Sequence, residues 1–531
     1  AQTYHYILNN RNFESYIKIV KVDAETGKTI PYAGAGFQLY RPDGSLITQS
    51  FTYPEPTEID TFYTNADGVL YTPEPLEYGT GFSLVECFAP YGYVLNTDPV
   101  YFDVTPESAA EEGGITIVEV TKPNMAQKGI IKINKTGEVF ASVVQTENLY
   151  KPVYAEQGVS GAVFEITALE DVFTLDGTLR YSAGEVVDTV TVDETGSGQS
   201  KPLYLGKFEI REVKFPYGMI DTGAEPQVIE LTYAGQEVEI TETSASFYNE
   251  RQKVKVTLDK LLEQDELFRL GMNGEQAAIT FGLFAAETLT AADGTQIPAD
   301  ALLEIISVNE NGLAQGQTDL PFGSYYLKEL TTDGHYLLSD AIYPIVFAYA
   351  GQDTALVEIK ANDGQPIDNA LMYGKIHGRK TDENGNGLAG AKIGLFRPGE
   401  TEFNEDTAIL TDVSDENGGF SFTGVPIGNW VVREIAAPTG YVLCEQAYPV
   451  CVDENGAVIE LEIANVLIRG SVQTTKTDKD YPENKLTGAE FTVYRDTDSN
   501  GKLTDADEML GTLAETTPGV YEMDRLIYGG Y

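Results

Sequence analysis

The chain has 531 residues, of which 82 are acidic and 35 basic, and its formal net charge is -47. This acidity argues against nucleic acid and anionic membrane surfaces as partners, because both would repel it. A hydrophobic fraction of 42%, with 32 Tyr and 23 Phe, supplies ample core material and excludes a disordered chain. No apolar run is long enough to cross a bilayer.

One interval recurs along the chain: an asparagine is followed eleven positions later by a lysine. The pairs are Asn10/Lys21, Asn124/Lys135, Asn249/Lys260, Asn369/Lys380 and Asn465/Lys476. Each lysine ends a short alternating aliphatic run, which is typical of a β-strand whose alternate side chains face one way. The interval therefore predicts a joint, where the last strand of one domain leads into the first strand of the next.

These joints divide the chain into six parts. Residues 1–14 are predicted to be the closing strand of a preceding domain, and residues 466–531 an incomplete fifth unit. Between them lie four complete units at 15–124, 125–249, 250–369 and 370–465. Short alternating strands with frequent turn residues, and almost no helical periodicity, predict an all-β fold of tandem Ig-like or prealbumin-like β-sandwich domains. Because the joints are short, the domains are expected to stack as an elongated rod.

Each complete unit places one lysine, one glutamate and one asparagine among apolar residues of its core. The glutamate stands two and four positions after apolar residues that are expected to face inward, as Glu86 does after Leu84 and Phe82. Its side chain is therefore expected to face inward as well. The predicted trios are Lys21/Glu86/Asn124, Lys135/Glu212/Asn249, Lys260/Glu329/Asn369 and Lys380/Glu434/Asn465. Lys and Glu are almost never buried unpaired, so the trios require an explanation.

Two explanations of the trios are open. The first is a buried Lys–Glu ion pair with an asparagine hydrogen-bonded to it, although two desolvation penalties make such a pair poor for stability. The second is a covalent bond, since burial lowers the pKa of a lysine and raises that of a glutamate. A neutral amine is a nucleophile, and a protonated glutamate can carry protons to leaving ammonia. The fourfold repetition favours this Lys–Asn isopeptide bond, a single-turnover event that makes the chain no enzyme.

The motifs around the trios resemble those of the Cna B-type domains (SpaA-like, prealbumin-like) of Gram-positive surface adhesins and pilins. Unit four shows them best, with residues 390–396 after its lysine and Ala-Pro-Thr-Gly-Tyr at 437–441 after its glutamate. The resemblance implies an isopeptide bond between first and last strands in each of the four trios, with Glu86, Glu212, Glu329 and Glu434 as the catalytic groups. Unit three departs from the motif after Glu329, and unit one has Lys122 where an inward apolar residue is expected.

An acidic loop in unit five, residues 496–507, follows the calcium-loop template. Oxygen donors stand at its positions 1, 3, 5 and 12 and a turn glycine at position 6. The predicted ligands are Asp496, Asp498, Asn500, the backbone carbonyl of Lys502, and Asp507. The alternative is an acidic hairpin loop that binds no metal. A structural calcium is the one cofactor that the sequence suggests.

No other residues point to catalysis. The three histidines are scattered, and three cysteines are too few for a disulfide-stapled scaffold. Cys444 and Cys451 are close enough in sequence to close a small hairpin through a disulfide, or they remain two thiols.

The predicted function is the stalk of a cell-wall-anchored adhesin or pilus-like fibre, extracellular on a Gram-positive bacterium. Its expected partners are neighbouring domains of the same protein, and a host extracellular protein or glycan bound by a head domain outside this segment. In one alternative, a domain of this chain is itself the binding module, through the insertions at 138–158 or 49–60, because surface loops carry such functions. In another, the chain is a fibre-forming subunit, and residues 1–10 of a second chain supply the last strand of unit five.

Overall fold

The computed structural model describes residues 2–5 and 11–531. These residues form 44 β-strands and two short 3-10 helices, Glu275–Ala278 and Asn362–Gly364, and they contain no α-helix. The predicted all-β fold is confirmed. Residues 2–5 and 11–13 are outside any strand, and Asn10, predicted to end a closing strand, lies outside the described residues. None of the helices in the described part of the chain could cross a bilayer.

Unit one is a sandwich of two sheets. Its strands are β1 (Glu14–Asp23), β2 (Gly36–Tyr40), β3 (Gln49–Phe51), β4 (Thr57–Ile59), β5 (Phe62–Tyr63), β6 (Val69–Tyr71), β7 (Leu76–Glu77), β8 (Gly79–Phe88), β9 (Val100–Val104), β10 (Ala110–Glu112) and β11 (Ile115–Asn124). One sheet has the order β10-β11-β1-β6, with β7 beside β1, and the other β5-β2-β8-β9. The insertion at 49–60 contains the small hairpin β3–β4.

Unit two repeats this plan and carries one much longer hairpin. Its strands are β12 (Lys128–Thr146), β13 (Leu149–Gly158), β14 (Val163–Ala168), β15 (Val172–Phe173), β16 (Leu179–Tyr181), β17 (Val186–Thr191), β18 (Ser197–Gln199), β19 (Leu203–Tyr204), β20 (Gly206–Lys214), β21 (Gln227–Leu231) and β22 (Ile240–Asn249). In one sheet β12 pairs with β13, β18, β19 and β22, and the other sheet has the order β17-β14-β20-β21.

Units three and four have the same two-sheet plan. Unit three contains β23 (Lys253–Leu262), β24 (Thr280–Ala285), β25 (Leu289–Thr290), β26 (Gln296–Ile297), β27 (Leu302–Ser307), β28 (Leu313–Gln315), β29 (Gly323–Thr331), β30 (Ile342–Phe347), β31 (Leu356–Lys360) and β32 (Ile367–Asn369). Unit four contains β33 (Tyr373–Thr381), β34 (Lys392–Phe396), β35 (Leu410–Val413), β36 (Gly419–Pro426), β37 (Gly428–Ala436), β38 (Tyr448–Val452) and β39 (Val458–Ala464). Their buried side chains form one continuous apolar cluster, in which Phe268 of unit three packs against Trp430 of unit four with ring centroids 5.0 Å apart.

Unit five is smaller. Its strands are β40 (Arg469–Thr475), β41 (Thr492–Arg495), β42 (Glu508–Thr512), β43 (Ala514–Thr517) and β44 (Val520–Ile527). They form the sheet β40-β44-β43 and the hairpin β41-β42. The core is correspondingly small and centres on Val493, Leu513, Tyr521 and Leu526.

The first and last strands of each complete unit lie side by side and run parallel. These pairs are β1 with β11, β12 with β22, β23 with β31 and β32, and β33 with β39. Because parallel neighbours point the same way, the chain enters a unit at one end of this pair and leaves at the other. Tension along the chain would therefore shear these two strands past each other.

The insertion at 138–158 forms a hairpin arm, made of the distal parts of β12 and β13, that lies against unit three. The backbone N–H groups of Ala292 and Asp293 donate to carbonyls of the arm at 2.9 and 3.1 Å. Buried Arg251 holds its base, with Nε 2.9 Å from a carboxylate oxygen of Glu138 and its guanidinium 3.7 Å from the ring of Tyr154. The arm thus connects units two and three.

The joint between units one and two is held by a polar cluster. Arg180 of unit two places one guanidinium nitrogen 2.8 Å from Asp23 and another 3.0 Å from Glu25. Lys128 approaches the same Glu25 carboxylate at 2.7 Å, and Tyr93 donates to Asp23 at 3.0 Å. Because Asp23 and Arg180 are nearly excluded from water, these contacts restrain the joint more than surface ion pairs would.

Candidate cross-linking sites

The structure brings the three predicted residues of unit one together in its core. Lys21 comes from β1, Glu86 from β8 of the opposite sheet, and Asn124 from the end of β11, and each is at most 1% exposed. The Nζ of Lys21 lies 3.0 Å from Glu86 Oε1. The Nδ2 of Asn124 donates to Glu86 Oε2 at 2.7 Å. One carboxyl group therefore contacts both the amine and the amide nitrogen.

Unit four has the same arrangement with a closer lysine and asparagine. The amine of Lys380 donates to Asn465 Oδ1 and lies 3.7 Å from Glu434 Oε1. The Nδ2 of Asn465 donates to both carboxyl oxygens of Glu434 at 3.0 Å. The lysine thus meets the carbonyl end of the amide, while the glutamate meets its nitrogen.

Unit three is equally well formed although its sequence departs from the motif. Lys260 Nζ donates to Asn369 Oδ1 at 2.5 Å and lies 3.5 Å from Glu329 Oε1. Asn369 Nδ2 donates to both oxygens of Glu329 at 3.0 Å. It also donates at 3.0 Å to the hydroxyl of Thr332, which lies in the segment after Glu329 where the sequence differs from the motif.

Unit two has the loosest trio. Lys135 Nζ lies 3.2 Å from Glu212 Oε2 but makes no hydrogen bond among the described residues, whereas the lysine Nζ of each other unit donates to a carbonyl oxygen. The Glu212 side chain is 10% exposed, whereas its counterparts in the other three units are fully buried. The Glu212 side chain borders a cleft of about 320 Å³ that is also lined by Asp221 and Asn249. Water therefore reaches the trio of unit two more easily than the other three trios.

A constant register between the parallel strands explains how lysine and asparagine meet. Each lysine stands opposite the residue two positions before the asparagine of its unit. The opposed pairs are Lys21/Lys122, Lys135/Phe247, Lys260/Ile367 and Lys380/Ile463. Residues two apart in a strand face the same side, so the asparagine points into the core beside the lysine and one step further along the strand.

A β-bulge follows each glutamate, a feature that the sequence analysis did not predict. Pairing is regular up to the glutamate, and one extra residue then separates it from the next paired position. The bulged residues are Cys87, Val213, Leu330 and Ile435. Bulges re-aim side chains and are common next to functional sites. Here the bulge interrupts the ladder directly after the residue whose carboxyl group contacts the lysine of the opposite sheet.

The backbone N–H of each trio lysine donates a hydrogen bond to the carbonyl of a turn glycine. The N–H of Lys380 donates to the carbonyl of Gly418 at 2.7 Å, and Lys21, Lys135 and Lys260 make the same bond to Gly68, Gly196 and Gly312. Gly418 has a φ of +82°, and a Cβ there would lie 2.1 Å from the Lys380 carbonyl oxygen. The signal was present in the sequence, since each of these glycines ends an Asp/Asn-x-x-Gly turn.

Three of the glutamates are oriented by a loop N–H that the sequence analysis also missed. The donors lie ten residues after the glutamate: Asn96 to Glu86, Ser339 to Glu329 and Cys444 to Glu434, at 2.9, 2.9 and 2.7 Å. This bond fixes one carboxyl oxygen close to the asparagine nitrogen. No such bond to Glu212 is found among the described residues, which agrees with the looser trio of unit two.

Burial shifts the pKa values of the four trio lysines and of Glu212 towards their neutral forms. It lowers the pKa of Lys21 to about 8, against the raising effect of Glu86. The pKa values of Lys135, Lys260 and Lys380 are lowered for the same reason. Burial also raises the pKa of Glu212, against the effects of Lys135 and Asn249. Neutral amines are therefore more accessible here than on a protein surface.

The acidic loop of unit five gathers three of its predicted calcium ligands. Carboxylate oxygens of Asp496, Asp498 and Asp507 lie within 4.8 Å of one another. Backbone N–H groups of Asn500 and Gly501 donate to Asp496 and curl the loop. This oxygen-only donor set fits a hard divalent cation such as Ca²⁺.

Three further residues singled out by the sequence, two cysteines and one lysine, belong to none of the trios. Cys444 and Cys451 both carry free thiols, as does Cys87. Lys476, the fifth lysine of the repeat, is exposed, although its N–H makes the usual bond to a turn glycine, Gly519.

Comparison with known sequences identifies one protein family. The SpaA family of prealbumin-like fold domains matches residues 15–122, 151–244 and 374–466, which together are more than half of the chain. The matched stretches fall within units one, two and four, apart from one residue of unit five. No curated protein matches the chain.

Several solved structures resemble the chain at low identity. The TIE protein of Bacillus anthracis is 15% identical with a TM-score of 0.47, and the match covers 87% of this chain and 76% of that one. BcpA, the major pilin subunit of Bacillus cereus, is 15% identical with a TM-score of 0.18, covering 86% and 100%. A C-terminal fragment of the pilus adhesin SpaC from Lactobacillus rhamnosus GG is 14% identical with a TM-score of 0.26, covering 41% and 97%. These likenesses are too weak to support a function.

Proposed function

The chain belongs to the SpaA family of prealbumin-like fold domains, and from this premise we propose that it is a stalk segment whose complete units are closed by Lys–Asn isopeptide bonds. The stalk would stand on the outer surface of a Gram-positive bacterium, anchored to the cell wall in an adhesin or pilus-like fibre. Neighbouring domains of the same protein would be its direct partners, and a head domain elsewhere in the protein would bind a host protein or glycan.

The observation that carries the proposal is the carboxyl group placed between an amine and an amide. A neutral Lys380 would attack Cγ of Asn465 to form the Nζ–Cγ bond. Glu434 would take the proton that the amine loses and pass it to Nδ2, so that the Cγ–Nδ2 bond breaks and ammonia leaves. The carboxyl group returns to its starting state. Because the fold already holds the groups in contact, the reaction gains the effective concentration of an intramolecular step.

The position of this bond explains why it would suit a stalk. It joins the first and last strands of a unit, which are the strands that the chain would shear under tension. With the bond in place, force passes from one strand to the other through covalent atoms. The residues between lysine and asparagine then cannot be drawn out, so resistance to force and proteases becomes a form of kinetic stability.

Intact mass tests this proposal on the whole chain. Each bond releases one ammonia, so four bonds lower the mass by about 68 Da relative to the sequence, at about 17 Da per amine-on-amide condensation. A smaller deficit would give the number of bonds, and unit two is then the first candidate for the missing one. A mass equal to that of the sequence would contradict the proposal.

We further propose that the loop at 496–507 binds Ca²⁺ as a structural ion of unit five. The support is the donor set of Asp496, Asp498, Asn500, Asp507 and the Lys502 carbonyl. The ion would offset the mutual repulsion of these carboxylates, and a bound ion adds about 2.7 kcal/mol of stability at a concentration 100 times its Kd.

Calorimetry of the full chain tests the calcium site. Adding Ca²⁺ is expected to raise the melting temperature of the unit-five transition, and Asp498→Asn should abolish that rise. Asp505→Asn is the matched control, because Asp505 lies in the same loop at a non-ligand position and is exposed. If unit five melts identically with Ca²⁺ and with a chelator, the loop is an ordinary acidic hairpin.

A further inference from the structure

The motif Tyr-Ala-Gly-Gln occurs twice in the chain, at 233–236 and at 349–352. The first copy lies in the loop between β21 and β22 of unit two, and the second in the loop between β30 and β31 of unit three. The glycines have φ values of +100° and +96°, a region that glycine enters without steric cost. The proposed cross-link makes no use of this loop.

In unit two, a buried glutamine fixes the loop to the joint. Gln127, three positions after Asn124, is 1% exposed. Its Oε1 accepts from the N–H of Ala234 at 2.8 Å, and its Nε2 donates to the carbonyls of Gly235 and Val238 at 2.9 and 2.5 Å. Because the buried amide has partners at both ends, these bonds offset its desolvation and hold the loop in one position.

Unit three repeats the arrangement. Gln252, three positions after Asn249, is fully buried. It accepts from the N–H of Ala350 at 2.8 Å and donates to the carbonyls of Gly351 and Thr354 at 3.1 and 2.6 Å.

The loop of unit two, held in this way, contacts unit one. The side-chain oxygen of Gln236 accepts from the N–H of Ala89 at 2.8 Å, and its backbone carbonyl accepts from Leu95 at 2.9 Å. The ring of Tyr233 lies against that of Tyr91, with centroids 4.6 Å apart.

The loop of unit three contacts unit two at the corresponding places. The backbone carbonyl of Gln352 accepts from the N–H of Asp221 at 2.9 Å. The ring of Tyr349 lies 4.9 Å from that of Tyr217, and its hydroxyl donates to the carbonyl of Met219 at 2.8 Å. The turn after the trio glutamate of one unit is thus the docking surface for the loop of the next.

The components of this contact occur together or not at all. Units four and five have no Tyr-Ala-Gly-Gln motif. At the joints that precede them, the glutamine position is taken by Met372 and Ile468, and the position of the docking tyrosine by Gly334 and Thr439. The joint between units three and four is filled instead by the apolar packing of Phe268 against Trp430.

The joint between units four and five has weaker contacts. The N–H of Ile468 donates to the carbonyl of Gly440 at 2.8 Å, a backbone bond that the other joints also make. The Ile468 side chain is 38% exposed, however, whereas Gln127 is buried. Arg469 pairs with Glu383 across this joint, but both residues are exposed, and exposed ion pairs contribute little.

We propose that the Tyr-Ala-Gly-Gln loop is a docking element that fixes the angle between its own unit and the preceding one. Units one, two and three then move as one stiff body, and the chain bends at the joint before unit five. Gln127 and Gln252 are positioning residues, because they hold the loop in the shape that docks. This inference does not depend on the cross-link.

Distances between pairs of nitroxide labels on the full chain, measured by double electron–electron resonance, test the inference. The three native cysteines are replaced by serine. Thr121→Cys and Thr189→Cys place labels at exposed positions of units one and two, and Thr411→Cys and Thr516→Cys do so in units four and five. The first pair is expected to give a narrow distance distribution and the second a broad one.

Removing the docking contact should broaden the first distribution. Gln127→Ala and Gln236→Ala are each expected to increase its width to about twice the original, because domains without a docked interface move relative to each other by default. Gln199→Ala is the matched control, since Gln199 is an exposed glutamine of β18 in the same unit, and it should leave the width unchanged.

Two results would overturn the inference. One is an unaltered chain in which both label pairs give equally wide distributions. The other is an unchanged width in the Gln236→Ala chain, which decides the matter even if Gln127→Ala does not fold, since the Gln236 side chain accepts its hydrogen bond from unit one.

Discussion

Under tension applied to its ends, the chain with Asn465→Ala is expected to lengthen by about 300 Å more than the unaltered chain. Lys380 and Asn465 are 85 residues apart in sequence, and each residue of an unfolded segment spans about 3.3–3.6 Å. In the unaltered chain the proposed isopeptide bond would carry the force past this segment. Without the amide there is no bond, and unit four unfolds completely. Single-molecule force spectroscopy measures the added step directly.

Asn429→Ala is the matched control for this experiment. Asn429 is an exposed asparagine on β37 of the same unit, within the segment that the proposed bond would protect. Its removal leaves the trio intact, so no additional step is expected. Unit five, which has no predicted trio, should extend equally in all three chains. An unaltered chain that releases the full unit-four step would refute the mechanical role.

Replacing Glu434 by glutamine separates proton transfer from activation of the amine. The Glu434 charge raises the pKa of Lys380, against the larger effect of burial. Its loss therefore makes the neutral amine more available. If amine activation alone limited the reaction, Glu434→Gln would accelerate bond formation in unit four. Because an amide cannot relay a proton, we instead expect bond formation to slow by about 10²–10⁴-fold, the usual contribution of general acid–base catalysis.

The rate in this variant is measured by refolding the chain and following the ammonia lost from unit four. Units one to three of the same molecules serve as internal references. Glu460→Gln, at an exposed position of β39, controls for the loss of a negative charge from the same unit. An unimpaired rate in the Glu434→Gln chain would remove the glutamate from the mechanism, although the bond could still form.

Much of the fold and of the candidate sites follows from local pattern. Strand alternation assigns an inward direction to Lys380, Glu434 and Asn465 without any knowledge of the third dimension, because the side-chain period of a strand is two. The spacing from each asparagine to the next lysine likewise locates the joints. These are properties of short segments, and the structure places all four predicted trios in the cores of their units.

What the sequence analysis missed depends on contacts between distant segments. The bulge after each glutamate and the loop N–H that orients Glu434 depend on contacts with other segments. The alternation of side chains along one strand does not reveal such contacts. The same holds for the insertion at 138–158, which a linear sequence presents as a surface loop. Only the fold shows that Arg251, more than ninety residues downstream, lies against its base. Unit three shows the converse, since a departure from the motif after Glu329 leaves the trio geometry intact.

The most direct test of the cross-link is the mass of one tryptic fragment. Trypsin would not cleave after a lysine whose amine is bound in an amide, and residues 434–469 contain no internal site before Arg469. We predict a branched fragment joining residues 380–392 to residues 434–469, lighter by about 17 Da than the sum of its two peptides. Cleavage after Lys380, with the 434–469 peptide recovered at its full unmodified mass, would contradict the account.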